Sequence, residues 1–283
     1  MIRRRHFLQS AVAVAALPAL AAFRSASDSR APKSELWPVW QTHNPDAAPS
    51  AEPDYQTLAR LLDKYLAPPD DTLRLARFNY NEVSAQEGDE LVRFNQELGA
   101  VNVNSLNKNQ QFTFWTNLYN SLTLQVVLQH WPVDSIRDIN ISPGLFARGP
   151  WNAEVVTVLD ENLTLNDIEH RILRPIWNDA RIHYAVNCAS VGCPNLQLWN
   201  SQTLERDLDA AAAQFVNSPR GVDIQSREVT VSKIYSWYVE DFDSDEQGVL
   251  RHLRRYAQPR LDSDLAEINQ LHDSDYDWNI NSA

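Results

Sequence analysis

From Asn109 to His130 the chain runs without proline or glycine, and its bulky apolar residues return at helical spacing. Phe112, Trp115, Tyr119, Leu122, Val126 and Val127 fall on one face, and Trp131-Pro132 stops the run. This is the longest element the sequence predicts, and an apolar face of that length requires other elements packed on it. Asn120, Thr123 and His130 fall within the same arc, where a polar group must find a partner.

The flanking pattern supplies those elements. An amphipathic helix is predicted at Tyr55–Leu66, stopped by Pro68-Pro69, and a strand at Leu73–Tyr80. Ser84 and Glu87 make a capping-box pattern for a helix running to about Leu98. A loop marked by Ser142-Pro143-Gly144 and Gly149-Pro150 leads to a strand at Ala153–Leu159. Thr164 caps a helix at Leu165–Leu173 that Pro175 ends, and a strand at Arg181–Asn187 follows. Thr203 opens a helix whose apolar stripe is Leu204, Leu208, Ala211, Ala212 and Phe215. Val229 and Val231 alternate as in a strand, and a further helix lies near Val249–Tyr256. No internal repeat is visible. The sum is an α+β fold: a helix-rich single domain with a small sheet, for which a papain- or transglutaminase-like arrangement is the enzymatic form.

The first residues read as an export signal. Arg4-Arg5-His6-Phe7-Leu8-Gln9 follows the twin-arginine pattern, Ala11 to Ala22 is a short apolar run, and Ala19-Leu20-Ala21 supplies a cleavage site. That run is shorter than the ~18–20 apolar residues a membrane span needs, so no stable span is expected after its removal. The expected divisions are a signal peptide at 1–21, a Pro/Ser/Ala-rich linker at 22–53 and a globular domain at 54–283. Trp37 and Trp40 are unusual in a linker and suggest docking onto the domain. The predicted compartment is the periplasm.

Charge removes several function classes. Without residues 1–21, Lys plus Arg falls from 25 to 22 against 37 acids, a net −15. Phosphate backbones and anionic membrane surfaces repel such a chain, so nucleic-acid binding is not expected. Seven glycines in all leave little room for a phosphate-cradling turn, and no H-E-x-x-H or G-x-S-x-G motif is present. Asp241, Asp243 and Asp245 imitate a calcium loop, but Glu246 stands where glycine is required and His252 where the last ligand belongs. A zinc site built from the cysteines with His170 or His183 lacks a recognised spacing. No cofactor or metal is therefore called for.

The reactive residues gather between Leu165 and Pro194. Leu165, Ile168, Ile172 and Leu173 share one helical face, and Glu169 falls in its middle with His170 at its edge. A carboxylate there must be paired, hydrogen-bonded or held neutral by a raised pKa. It is either a structural acid or an acid/base that also orients a histidine. A regular strand would put Arg181, His183 and Asn187 on one face and Ile182, Tyr184, Val186 and Cys188 on the other. His183 and Cys188 meet only if a turn begins at Asn187, as Ala189-Ser190-Val191-Gly192 suggests. Cys188 and Cys193 read as a disulfide, as a free nucleophile with an inert neighbour, or as two buried thiols.

Five ordered motifs carry a family resemblance. They are Phe114-Trp115-Thr116-Asn117-Leu118-Tyr119-Asn120; Leu165-Asn166-Asp167-Ile168-Glu169-His170 with Leu173-Arg174; and Arg181 through Ser190 with Cys193-Pro194. Trp237-Tyr238 with Asp241-Phe242 and Tyr276-Asp277-Trp278-Asn279 complete them. From about residue 55 onward the chain resembles the family catalogued as domain of unknown function 547. The resemblance implies no established activity, but it places Asn120, Glu169, His183 and Cys188 inside family motifs. Intracellular plant proteins look similar over this domain, and a cysteine pair shared with them would make an export-specific disulfide a less complete explanation. Thr116 and Gly192 depart from the family pattern without touching the candidate side chains.

Two functional expectations follow. One is a cysteine hydrolase or acyltransferase acting on a peptide or amide, with the cell envelope as the expected source of that substrate. In it Cys188 attacks, His183 (or His170) activates, and Asn120 or Glu169 orients the imidazole. The other is a non-catalytic envelope module, binding or structural, with a Cys188–Cys193 staple.

Overall fold

The computed structural model describes residues 31–69, 72–144, 147–225 and 228–283. The expected signal peptide and the first part of the expected linker lie outside them. Four helices order the first two thirds of the fold: α1 (Gln56–Tyr65), α2 (Ala85–Gly99), α3 (Lys108–His130) and α4 (Arg174–Trp177). A helical turn, α5 (Ile182–Ala185), then precedes α6 (Leu204–Val216), α7 (Lys233–Trp237), α8 (Glu246–Tyr256) and α9 (Pro259–Ala266). The strands form small sheets: β1 (Leu66–Ala67) with β2 (Arg77–Phe78), and β3 (Glu154–Val158) with β4 (Glu161–Thr164). In the third sheet β5 (Val222–Gln225) pairs antiparallel with β6 (Glu228–Ser232), which pairs parallel with β7 (Asp273–Asp275). The helix-rich α+β expectation holds, with its strands divided among separate sheets.

α3 is buried on all sides from Gln110 to Leu124, not along one stripe. The polar residues between Gln110 and Leu124 are therefore inside, and most of them answer to backbone. Thr116 and Thr123 hydroxyls donate to the carbonyls of Phe112 and Tyr119 at 2.8 and 2.9 Å. The Asn117 amide donates to the Trp199 carbonyl and accepts from the Trp199 N–H, both at 3.0 Å. Asn107 and Gln110 cap its start reciprocally, and Ser84 with Glu87 does the same for α2.

Residues 31–53 lie against this core. Trp40 is buried edge-on against Trp115, with ring centroids 5.1 Å apart. Gln111 at the start of α3 donates to the Thr42 carbonyl at 2.7 Å, and Asn44 N–H donates to the Leu106 carbonyl at 2.9 Å.

Three expected elements differ. The strand expected at Leu73–Tyr80 is reduced to Arg77–Phe78, because Arg74 takes a left-handed conformation and Tyr80 enters a 3-10 turn. The stretch expected as a strand at Arg181–Asn187 is the helical turn α5, followed by extended Val186. There Asp179 accepts the Arg181 N–H at 2.8 Å and starts the turn. Pro175 does not end the preceding helix. Residues Asp167–Leu173 wind as a π-helix, and the chain continues helically through Pro175 to Trp177. Proline removes one N–H and crowds the carbonyl four residues back. The carbonyls of His170 and Arg171 instead accept from Glu35 and Trp37, each at 3.0 Å, so the segment before Pro38 is laid along the helix.

Candidate active site

The π-helix, α5, the cysteine turn, α7 and the C-terminal tail enclose a cavity of about 310 Å³. Glu169, His170, His183, Cys188 and Cys193 all line it, so the structure brings carboxyl, imidazole and thiol groups into one place. Tyr119, Trp151, Trp237, Tyr238, Tyr276 and Trp278 supply aromatic walls, and Ala31 and Pro32 close one side. π-helical turns displace side chains from ordinary helical register and recur at functional sites. Here the widened turn carries both Glu169 and His170.

Glu169 is buried, and burial pushes its carboxyl up to about 7, against the opposing charge of Arg174 and a hydrogen bond from Tyr119. Its two oxygens face different imidazoles, each 3.9 Å away: Oε1 faces Nδ1 of His183 and Oε2 faces Nε2 of His170. The tautomers follow from the partners. A guanidinium only donates, so His170 Nδ1, at 3.2 Å from Arg174, accepts, and the His170 proton lies on Nε2, toward Glu169. His183 Nε2 lies 2.7 Å from Asp241 Oδ2 and donates to it, leaving Nδ1 as a lone pair toward Glu169. Burial lowers both imidazoles, His170 well below its ordinary value with help from Arg174. A neutral Glu169 carboxyl thus sits between a donor on one oxygen and an acceptor on the other.

Asp241 anchors the far end. Burial works to raise its carboxyl, but the hydrogen bond from His183 and the nearby Arg174 guanidinium hold it at about 2. Arg174, itself buried, donates to Asp241 at 2.6 Å, to Glu240 at 2.8 Å and to the Pro32 carbonyl at 2.9 Å. Tyr238 stacks flat on His183, centroids 4.4 Å apart at 8°.

The sulfurs occupy the opposite wall. Sγ of half-buried Cys188 lies 2.6 Å from Sγ of buried Cys193, 3.1 Å from the Tyr276 hydroxyl and 3.3 Å from the Ser190 hydroxyl. The hydrogen bond with Cys193 lowers the Cys188 thiol most, joined by Ser190 and Tyr276 and opposed by burial. Cys193 goes the other way, pushed well up by burial and by its neighbour. Among the described residues no imidazole lies within hydrogen-bond reach of Cys188 Sγ. The expected Cys188–His183 contact is absent because α5 turns His183 into Asp241.

Asn120 is outside the cavity. Its Nδ2 donates to the Ala185 carbonyl at 3.0 Å and its Oδ1 accepts from Asn187 N–H at 2.8 Å, so it braces the backbone leading to Cys188 and orients no imidazole. The turn it feeds is tightly determined. Ala189 holds a left-handed φ of 60°, costly for a residue with a Cβ. Asn187 Oδ1 accepts its N–H at 2.8 Å, and its carbonyl accepts from Asn281 N–H at 2.9 Å. The tail also pairs with Val191 and Gly192, whose N–H groups reach Asn279 and Asp277 carbonyls at 2.8 Å. Arg220 clamps the Val191 and Cys193 carbonyls from the other side.

Sequence reasoning missed Tyr276 as a partner of the sulfurs and left Asp241 as a structural residue. Both belong to aromatic motifs that the sequence displays, but nothing in their spacing tells which wall they form. Gly192, expected to be without effect, lies against the Tyr276 ring, where a Cβ would stand 2.9 Å from its carbons.

No curated protein and no solved structure matches the chain. Residues 103–216, which carry Asn120, Glu169, His183 and both cysteines, match the family described as a protein of unknown function, DUF547, and the match supports that family for this part of the chain.

Proposed function

We propose that the cavity is a thiol–disulfide exchange site, with Cys188 as the attacking thiol and Cys193 as the resolving one. The observation that carries this reading is the asymmetry of two sulfurs 2.6 Å apart: one accessible and acid-shifted, the other buried and held protonated. Cys188 thiolate attacks a substrate disulfide, forming a mixed disulfide and releasing one substrate thiolate. The released substrate thiolate takes the Cys193 proton. Cys193 thiolate then attacks Cys188 Sγ, forming the internal disulfide and releasing the second substrate thiolate. The substrate disulfide is reduced by two electrons and the cysteine pair is oxidised by two. Two thiol groups of a second substrate run the same steps in reverse, leaving as a disulfide and restoring both cysteine thiols. The twin-arginine pattern at Arg4-Arg5 supports a periplasmic setting, where such exchange has substrates.

A second reading is favoured by Glu169 alone. A carboxyl poised near 7 in an aromatic cavity suits proton delivery to a leaving amine, with Cys188 forming a thioester from a peptide or amide substrate.

One trapping experiment separates the readings. Reduced Cys193→Ser protein is mixed with an aromatic disulfide, and separately with an activated amide, and the adducts are mapped by mass spectrometry. Exchange predicts a persistent mixed disulfide on Cys188 that the wild type resolves to an internal bridge. A thioester on Cys188 with no resolvable mixed disulfide would transfer support to acyl chemistry. No adduct with either probe would leave a non-catalytic module.

A further inference from the structure

We infer that the substrate of this site carries a carboxylate, which Arg148 receives at the mouth of the aromatic cavity. The inference rests on the exchange reading and names the substrate class it would take: a small, flat thiol or disulfide bearing a carboxylate. Among the described residues lining the cavity, Arg148 is the one lysine or arginine, and no acid among the described residues pairs with it. With 37 acids against 25 basic residues, guanidinium groups near the site are otherwise engaged: Arg174 with Asp241 and Glu240, and Arg171 with Asp167.

The backbone presents Arg148 deliberately. Gly149 follows it at φ 74°, and a Cβ there would clash with the Trp151 ring, so only glycine lets that indole fold back over the chain at this point. Trp151 packs edge-on against Trp278 at 5.7 Å, and Trp278 lies 4.6 Å from Tyr276, whose hydroxyl touches both sulfurs. A continuous aromatic wall therefore runs from Trp151, which lines the cavity together with Arg148, to the sulfurs. Beneath it, Asn166 Nδ2 donates to Asn152 Oδ1 at 2.6 Å, leaving the Asn152 amide donor and the Asn166 amide carbonyl for a ligand's own polar groups. The remaining acid in the cavity is Glu169, whose raised carboxyl opposes an anion less than an ordinary carboxylate would. Net negative charge repels large anions from the whole molecule, so a local cation selects small ones that reach the mouth.

The test compares two alkylating probes of nearly equal size, anionic iodoacetate and neutral iodoacetamide, on the reduced full-length protein. Modification of Cys188 is followed by mass spectrometry for the wild type, Arg148→Gln and Arg148→Lys. The ratio of the iodoacetate rate to the iodoacetamide rate should fall about fivefold in Arg148→Gln, the effect of one close charge pair near a surface, and should be largely kept in Arg148→Lys. The difference should disappear at about 1 M salt. An unchanged ratio in Arg148→Gln overturns the inference while leaving the exchange reading intact. Failure of both probes to modify Cys188 overturns the exchange reading and this inference with it.

Discussion

Gly192 lies directly beneath the ring of Tyr276: a Cβ added to it would stand 2.9 Å from three of the ring carbons. The phenol hydroxyl of that ring reaches both sulfurs, 3.1 Å from Cys188 Sγ and 3.0 Å from Cys193 Sγ. The absence of one methyl group thus decides how close a proton donor comes to the Cys188 thiol. Gly192→Ala should push the ring outward and make Cys188 less acidic. Tyr276→Phe, which removes the donor without moving the ring, should raise the apparent pKa of Cys188 by about one unit, the weight of one charge-assisted hydrogen bond. The pH profile of Cys188 alkylation measures both, and two profiles coincident with the wild type would remove Tyr276 from the site.

Glu169 gives a pH signature in stability. Its carboxyl titrates at about 7 when folded, against 4.5 as the ordinary value. The folded chain therefore holds this proton more tightly than the unfolded one. The favourable contribution is complete below about 4.5, declines as pH rises toward 7, and is gone above it. Relative to Glu169→Gln, the wild type should lose up to about 3 kcal/mol across that window. His170 and His183, whose imidazoles are lowered, act in the opposite sense below their ordinary value but are present in both proteins and cancel in the difference. Urea unfolding across the window tests this; parallel stability curves would mean that Glu169 ionises normally.

Arg174 has a side chain only 1% exposed and donates to two carboxylates, a backbone carbonyl and an imidazole nitrogen. Arg174→Ala should cost about 3–5 kcal/mol, because Asp241 is left charged without its main partner. Arg174→Lys should recover little, since an ammonium cannot span acceptors arranged for a planar fork. A lysine variant as stable as the wild type in thermal unfolding would show that the network is held by charge alone.

For Asn120 the expected loss is structural. Asn120→Asp puts a carboxylate oxygen against the Ala185 carbonyl it now donates to and should cost about 2–3 kcal/mol. The pH profile of Cys188 alkylation should stay in place in the folded variant. A displaced profile with unchanged stability would make the amide a direct partner of the thiol.

Local signals in the sequence carried most of the helices. The Ser84–Glu87 box and the Leu204–Phe215 stripe are short-range patterns, and both stand as expected. Arg181–Asn187 was misread because Ile182, Tyr184 and Val186 suit a strand equally well, while the Asp179 turn that tips the balance contributes a single hydrogen bond. α9 escaped notice because Leu265 is its one buried residue, too little for a periodic stripe. At the site, Glu169 on an apolar face already announced a perturbed acid. Its circuit could not be read, since Asp241 lies 58 residues from His183 and Tyr276 lies 88 from Cys188. Separations of that size leave no local trace in spacing.

The family-matched stretch and the chemical unit do not coincide. Residues 103–216 hold the reactive atoms, but Tyr276, Asp241, Tyr238 and Pro32 all arrive from outside those borders. A piece excised at those borders would keep its thiols and forfeit everything that tempers them. Comparisons confined to that interval therefore leave out the side chains that surround the sulfurs and the imidazoles.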